Sequence, residues 1–433
     1  MTSDLTPSNG TRGLSFFDRP PGYSERKTCR FCEGTDLSTI LDFGDVPLAG
    51  AFLSAEDLDE ENRYPLKVQF CRTCKLVQVT DLVSAEVLFG NYFYFSSAIQ
   101  TLRDHFRNLA TELAENFAEP GKSLVVEIGC NDGVLLEPLN EMGIECVGVD
   151  PASNVVATAN PELRIVNDCF TETTAKSIYE ESGGADVIVS SYSFAHIDDM
   201  LDVMRGVKAL LKEDGVLIVE VYYLGVLLDE LQYDMIYHEH MSYYSLMALQ
   251  WLFQRFGMEI FNVQRISLRA GTLRFYARNV GARDDPISPA VDKLHAYELE
   301  RGMDCEDTYR EFGDRVHETK VELLAMLDGI KESGKRIIGY GASGRATVIM
   351  NYCGIGSQYL DFVVDDAPAK EGFYTPGTHL LIQPWSAAEE DPPEYALLFA
   401  WSFIDEVKKR RVSYLREGGH FIVPLPFPEV VGA

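Results

Sequence analysis

Val125-Val126-Glu127-Ile128-Gly129-Cys130-Asn131-Asp132-Gly133 reads as a short buried strand running into a glycine-containing turn. An apolar run that stops at glycine marks a strand feeding a helix. Gly129 and Gly133 allow close approach of the backbone to a ligand and tight packing of that helix on the sheet. Outward from this stretch, residues 146–149 form a second strand that stops at Asp150-Pro151, and residues 186–190 and 216–221 form two more, with helical stretches between. Strands alternating with helices predict a parallel sheet with right-handed crossovers. Residues 258–279, with Leu273, Phe275 and Tyr276 after Gly271, read as antiparallel. Upstream, Ile99, Leu102, Phe106, Leu109 and Leu113 recur at helical steps behind an aromatic connector, Tyr92-Phe93-Tyr94-Phe95-Ser96-Ser97.

Residues 286–333 are mostly charged helical sequence, and a second α/β unit opens at Arg336-Ile337-Ile338-Gly339-Tyr340-Gly341, with later strands near 360–364, 396–400 and 420–423. The expected fold is α/β in three units. A flexible lead-in at 1–28 precedes a four-cysteine zinc-binding unit at 29–90. A Rossmann-like unit follows at 91–283, and a second Rossmann-like unit at 284–433. A chain of 433 residues suits that division at roughly 100–200 residues per domain. Hydrophobic residues at 46% and charged residues at 24% exclude a disordered chain or a coiled-coil rod. No apolar run approaches the roughly 18 residues of a membrane span. Sixty-seven acidic against 38 basic residues give a net charge of −29. That field argues against nucleic-acid binding but leaves room for a small phosphorylated ligand held by a few cations and backbone N–H groups.

Four of the nine cysteines, Cys29, Cys32, Cys71 and Cys74, form two Cys-x-x-Cys pairs with 38 residues between Cys32 and Cys71. Each pair presents two thiolates, and four thiolates fit a closed tetrahedral zinc site that staples a small unit; iron is the alternative metal. A closed shell leaves no coordination position for substrate, so the site reads as structural. The first twenty-eight residues lack the apolar core of a secretory signal. Paired cysteines without a signal predict a reducing, cytoplasmic setting.

The turn at Gly129 suits either a nicotinamide dinucleotide or S-adenosylmethionine. Asp150 lies about 20 residues on, where an acidic group accepts from ribose hydroxyls. Three details favour S-adenosylmethionine. The turn lacks the GxGxxG spacing, Glu127 suits a cationic ligand, and Asp168 and Phe170 in Asn167-Asp168-Cys169-Phe170 offer an adenine an acceptor and a ring face. The cofactor set expected is Glu127, Gly129, Asn131, Asp150, Asp168 and Phe170.

In order along the chain stand the four-cysteine unit, the Glu-x-Gly-x-Asn-Asp-Gly turn, Tyr237-His238-Glu239-His240 and Gly339-Tyr340-Gly341-Ala342-Ser343-Gly344-Arg345. That order resembles the sugar C-methyltransferases acting on nucleotide-linked 4-keto-deoxyhexoses, such as the C-3 methyltransferase of D-tetronitrose formation. The resemblance covers roughly residues 29–425. Carbon methylation needs an enolate, hence a base, donors for the enolate oxygen and a methyl held in line. The resemblance implies His240 as general base, with Tyr94, His196, Tyr237 and Glu239 lining the sugar and His238 pointing away. It also implies that Ser343, Gly344 and Arg345 hold the nucleotide part. Read mechanically, GxGxxG says dinucleotide, but Asp361, Asp365 and Asp366 are the only acidic residues near the required spacing. Arg269-Ala270-Gly271-Thr272-Leu273-Arg274 stands where relatives carry His-Gly-Gly-Ser-Leu-Arg. The expectation is a monomeric or weakly associating enzyme with a nucleoside-diphosphate 4-keto-deoxysugar as partner, no nucleic acid and no membrane. Its rivals are an O- or N-methyltransferase of a natural product, a non-catalytic protein that binds S-adenosylmethionine and zinc, and a nicotinamide-dependent oxidoreductase.

Overall fold

A computed structural model describes residues 19–432 apart from 90–94, 267 and 269–270. Its organising layer is a seven-stranded sheet in the order Met258–Ile266, Thr272–Asn279, Leu211–Tyr222, Ala185–Ser191, Leu124–Ile128, Glu145–Val149, Ile165–Val166. The last five run parallel, while Met258–Ile266 and Thr272–Asn279 close the sheet as an antiparallel hairpin. Every side chain of Leu124–Ile128 is buried, because helices cover both faces of a parallel sheet and leave no polar side. From Leu124–Ile128 the chain goes first to Glu145–Val149 on one flank and later to Ala185–Ser191 on the other. That reversal opens a crevice at the carboxyl ends of the strands, where such sheets bind ligands.

The C-terminal sheet has six strands, ordered Ile382–Gln383, Val363–Val364, Ile337–Tyr340, Tyr395–Leu398, His420–Val423, Glu429–Val431, and only the last is antiparallel. The N-terminal unit is a small antiparallel sheet of Leu37–Val46, Tyr64–Cys71 and Val77–Val79. Its fourth strand, Ser242–Tyr243, arrives from the far end of the central unit. Tyr23–Glu25, inside the stretch expected to be a flexible lead-in, is a strand paired with Asp81–Val83. Among the described residues, no helix is long and apolar enough to cross a membrane.

Two cores hold the units together. The zinc-unit strands bury Leu66, Val68 and Phe70 with Ile337, Ile338 and Leu397 of the C-terminal sheet. Cys29, Cys71 and Cys74 instead bury with Val126, Val219 and Phe275 of the central sheet, and partly buried Cys32 packs against them. Helix Pro289–Glu300, on the C-terminal side of the expected boundary at 283–284, packs on the central unit. There buried Glu298 accepts from the Leu246 and Met247 N–H groups at 2.7 and 3.0 Å, and burial pushes its carboxyl up to about 7.

The long helix Glu306–Glu332 buries Tyr309, Phe312, Val316, Leu323, Leu327 and Ile330 along one stripe. It crosses Leu37–Val46 at Gly313, where a Cβ would lie 2.5 Å from the Ile40 carbonyl oxygen. Alanine there gains roughly 1 kcal/mol of helix propensity but meets a backbone oxygen that cannot step aside, and overpacking costs about 1–3 kcal/mol. Gly313→Ala is therefore expected to lower stability on balance in denaturant unfolding, despite alanine being the better helix former.

Candidate active site

The turn after Leu124–Ile128 is built by left-handed residues: Gly129, Asn131 and Gly133 have φ of 75°, 52° and 83°. Asparagine tolerates this conformation better than most side chains. At Gly129 a Cβ would fall 2.4 Å from the Ser193 Cβ, so only glycine lets the two loops touch. Asp150 accepts from the Asn131 and Ala152 N–H groups, both at 2.9 Å, which leaves a lone pair on each oxygen for a ribose. The last two residues of the aromatic connector are laid across this turn, for Ser96 N–H donates to Asn131 Oδ1 at 2.8 Å and Ser97 N–H to the Asp132 carboxylate at 3.0 Å. Tyr92 and Tyr94 lie outside the described residues, as do Arg269 and Ala270.

Glu127 is 2% exposed and its Oε2 has no hydrogen-bond partner among the described residues. Burial drives its carboxyl well above the ordinary carboxylate range, with Asp150, Glu220 and Asp132 adding to the shift. A buried carboxylate without a partner is costly, and a cationic ligand relieves it. S-adenosylmethionine, with its sulfonium and ammonium charges, fits this donor set. Asp168 is exposed, with Oδ1 accepting from the Cys169 N–H at 2.7 Å. Phe170 lies in the hydrophobic core, where its ring edge would meet a Cβ on Gly206 at 2.9 Å.

The four thiols Cys29, Cys32, Cys71 and Cys74 converge, with all sulfurs within 4.8 Å of one another. Sγ separations of 3.3 Å for Cys29–Cys74 and 3.5 Å for Cys32–Cys71 lie close to the edges, about 3.8 Å, of a tetrahedron of zinc–sulfur bonds. The donors therefore fit zinc and leave no position for a reacting ligand.

Between these two centres lies Tyr237-His238-Glu239-His240. His240 is 4% exposed. Its Nδ1 lies 2.7 Å from the Met235 carbonyl, which can only accept, so the ring proton sits on Nδ1 and Nε2 carries the lone pair. The Tyr237 hydroxyl is 3.0 Å from Nε2 and donates to it. His196, on the short helix after Ala185–Ser191, stands 5.2 Å from His240 between ring centroids, and Tyr222 at the end of Leu211–Tyr222 stands 5.5 Å away. A cavity lined by Ala195, Tyr222, Met235, His240 and Ser242 lies here. Desolvation pulls His240 down to about 3, helped by His196 and Arg345, and pulls His196 down to about 4. Both rings are neutral at physiological pH. Burial pushes Glu239 up to about 7. His238 turns away, with Nε2 2.9 Å from the Pro65 carbonyl of the zinc unit.

The glycine loop of the C-terminal unit meets this cluster directly. A Cβ on Gly344 would lie 3.8 Å from the Tyr237 ring and 3.3 Å from the Ala49 Cβ. Ser343 caps helix Gly344–Cys353 by accepting from Ala346 N–H. Arg345 does not stand free: Nε donates to Asp234 Oδ2 at 2.7 Å, Nη1 to Ser402 at 3.2 Å, and the guanidinium covers the Trp401 ring. Asp234 is wholly buried and also accepts from Trp401 Nε1 at 2.8 Å. Asp361 pairs with Arg336, Asp365 with Lys370, and Asp366 with Arg410 and Arg411.

Four site features escape sequence reasoning. Tyr222 and Tyr192 have rings 5.2 Å apart; Tyr192, at the end of a strand with φ of 63°, carries backbone strain of the kind found at ligand sites. The Met235 carbonyl has no side-chain signature at all. Glu220, fully buried, accepts from Ser191 at 2.8 Å and lies 3.0 Å from His105 and 2.8 Å from Arg274; burial pushes it up, but His105 and Arg274 outweigh that and hold it low. Asp234 has no motif around it.

The depressed His240 has a thermodynamic sign. Its folded value of about 3 lies below the ordinary 6.5, so the unfolded chain takes up the proton first and stability falls as pH drops below about 6.5. Each pH unit costs about 1.4 kcal/mol. Relative to His240→Gln, the wild type should lose about 2 kcal/mol between pH 7 and pH 5 in denaturant unfolding.

Three family models match successive stretches of the chain, the last beginning at the turn between Met258–Ile266 and Thr272–Asn279. A zinc binding domain matches residues 29–89, a methyltransferase domain 101–263, and a C-methyltransferase C-terminal domain 267–426. C-methyltransferase NovU from Streptomyces niveus is 36% identical over 407 residues, 94% of this chain and 97% of that protein. The ubiquinone biosynthesis O-methyltransferase of Azorhizobium caulinodans is 29% identical over 116 residues, 25% of this chain and 46% of that one. A solved S-adenosylmethionine-dependent methyltransferase from Archaeoglobus fulgidus is 15% identical and overlays 40% of this chain and 94% of its own, with a TM-score of 0.31. With a relative that matches it from the zinc unit through the C-terminal sheet, the chain belongs to the zinc-containing, S-adenosylmethionine-dependent C-methyltransferases.

Proposed function

We propose that the enzyme removes a proton from the carbon beside the keto group of a nucleoside-diphosphate-linked 4-keto-deoxysugar, at C-3, and methylates the resulting enolate. The observation that carries this reading is the buried His240 with its tautomer set by the Met235 carbonyl, so that Nε2 is the basic atom. It stands beside the crevice, because Ser193, which touches Gly129, is three residues from His196. A neutral imidazole is the competent form of a general base. At about 3 it is also a weak base, and each lost unit takes about 1.4 kcal/mol from proton transfer. Enolate formation therefore leans on donors to the developing oxyanion. Tyr237 is suited to this, because the hydroxyl that donates to Nε2 can turn to the enolate oxygen when the sugar arrives. Tyr94, Tyr222, His196 and Glu239 would line the sugar. S-adenosylmethionine would be held at the carboxylate-rich turn by Glu127, Gly129, Asn131 and Asp150 and would supply the electrophilic methyl; Asp168 would stand at its adenine, with Phe170 packed behind it in the core.

Three features support the nucleotide-sugar assignment. Gly344 of the glycine loop packs against Tyr237, the segment carries a cation at Arg345 that Asp234 already pairs on one edge, and the acidic residues a dinucleotide ribose would need are already paired with Arg336, Lys370, Arg410 and Arg411. A helix start with backbone N–H groups suits a pyrophosphate. Zinc at the four thiolates stays out of the chemistry.

Replacing His240 with alanine is expected to lower kcat by about 10³-fold, within the range of lost acid–base catalysis, while calorimetry finds S-adenosylmethionine affinity nearly unchanged. Wild-type turnover in that variant would refute the assignment. Incubation with a panel of 4-keto sugar nucleotides, read by product mass and a C–CH3 proton signal, distinguishes carbon methylation from transfer to oxygen or nitrogen. Arg345→Ala would strand the buried Asp234 carboxylate, so Arg345→Lys is the cleaner probe of the nucleotide. It keeps the charge, loses the planar fork, and should raise KM for the sugar nucleotide about tenfold with kcat little changed.

A further inference from the structure

Between the first pair of zinc cysteines stand Arg30 and Phe31, and both point into the central unit rather than into solvent: each is 0% exposed. Phe31 stacks on Tyr244 with centroids 6.2 Å apart, and the Tyr244 hydroxyl donates to the Phe194 carbonyl at 2.7 Å. Arg30 reaches further. Its Nε donates to Asp198 Oδ1 at 3.1 Å, two residues beyond His196. Its Nη1 donates to the Met241 carbonyl at 3.1 Å, one residue beyond His240, and to the Val79 carbonyl and Gln78 Oε1. The Met241 carbonyl also accepts from Val79 N–H at 2.9 Å, and the Met241 N–H donates to Ala195 at 2.7 Å. One guanidinium thus touches the segments on which both histidines ride, and those segments are bonded to each other beneath it.

The energetics argue that this arrangement serves position rather than stability. A charge taken fully out of water is expensive, and an apolar side chain of similar volume commonly does as well or better. Arg30 retains a buried Nη2 with no partner among the described residues, which adds to the cost. Its ion partner Asp198 is half-exposed, with a side-chain exposure of 41%, so the pair is partly screened. What an apolar residue could not supply is a planar fork that fixes two loops at once.

We propose that Arg30 is a positioning residue of the methyl-transfer reaction: anchored by the zinc cysteines on either side of it, it sets the spacing of the His196 and His240 segments. A misplacement of about 1 Å in such a pair can cost 10²-fold in rate, so the effect belongs in kcat rather than in cofactor affinity. This rests on His240 being the base, and the experiment separates the two. Full-length, zinc-loaded Arg30→Lys and Asp198→Asn are compared with wild type for zinc content, S-adenosylmethionine affinity, kcat and KM, and the imidazole nitrogen–proton correlations of His196 and His240. Arg30→Lys should keep one zinc per chain and its cofactor affinity within about twofold, lose at least about tenfold in kcat with a smaller change in KM, and shift the His240 imidazole signals. Asp198→Asn, which leaves the metal knuckle intact, should shift the His196 signals and lower kcat about threefold. Unchanged imidazole signals and kcat in zinc-replete variants would overturn the proposal, as would a loss of kcat that tracks loss of zinc. If Arg30→Lys does not fold, Asp198→Asn decides by the same two readings. Full turnover in His240→Ala would remove the base assignment alone, and the imidazole spectrum would still decide the role of Arg30.

Discussion

At Met241 the backbone bonds to two units at once: its N–H goes to Ala195 in the central unit, and its carbonyl receives Val79 N–H and Arg30 from the zinc unit. The next two residues continue as a strand of the zinc unit's own sheet. Everything about the site depends on this seam. Across it the His240 and His196 rings stand 5.2 Å apart. Three of the four cysteines, Cys29, Cys71 and Cys74, are buried in the same core as Val126 and Val219, with Cys32 packed against it, so the four-cysteine cluster lies under this seam.

The electrostatics divide the crevice into two halves with opposite demands. On the proposed cofactor side stand Glu127, Asp132 and Asp150, and burial raises Glu127, with Asp150, Glu220 and Asp132 adding to the shift. On the proposed sugar side the ionisable rings are kept neutral by burial. A sulfonium belongs in the first half, and a reaction that passes proton and charge through an uncharged imidazole belongs in the second. The Asp234–Arg345–Trp401 cluster closes the far side, joining the C-terminal glycine loop to the residue next to Met235, whose carbonyl sets the His240 tautomer.

Much of the fold was legible because its signals are local. The short strand Leu124–Ile128, apolar but for Glu127 and ending at Gly129, reads as a central parallel strand, and two Cys-x-x-Cys pairs admit little but one metal. The residues of Tyr237-His238-Glu239-His240 were picked out by resemblance, and the structure brings His240, Tyr237 and His196 together while turning His238 toward Pro65. What escaped is non-local or carried by the backbone. Ser242–Tyr243 is too short to show a period, yet it completes another unit's sheet. Arg345 and Asp234 are 111 residues apart, and Trp401 and Asp234 are 167 apart. Arg30 reads as spacer in a metal motif because nothing in its neighbours says that it faces inward. Pro289–Glu300 looked like the opening of the last unit, since its charged outer face hides the apolar stripe that docks on the central sheet.

The shared strand also limits how such a protein can be taken apart. A gene fragment that began after the first ninety residues would leave Ser242–Tyr243 without its neighbour Val77–Val79, and it would uncover the Tyr244 ring where Phe31 now stacks on it. Unpaired strand edges beside bare aromatic surface invite association with other chains. The three units therefore look modular when written along the chain, but the cysteine knuckles and the histidine loop share one sheet and one core.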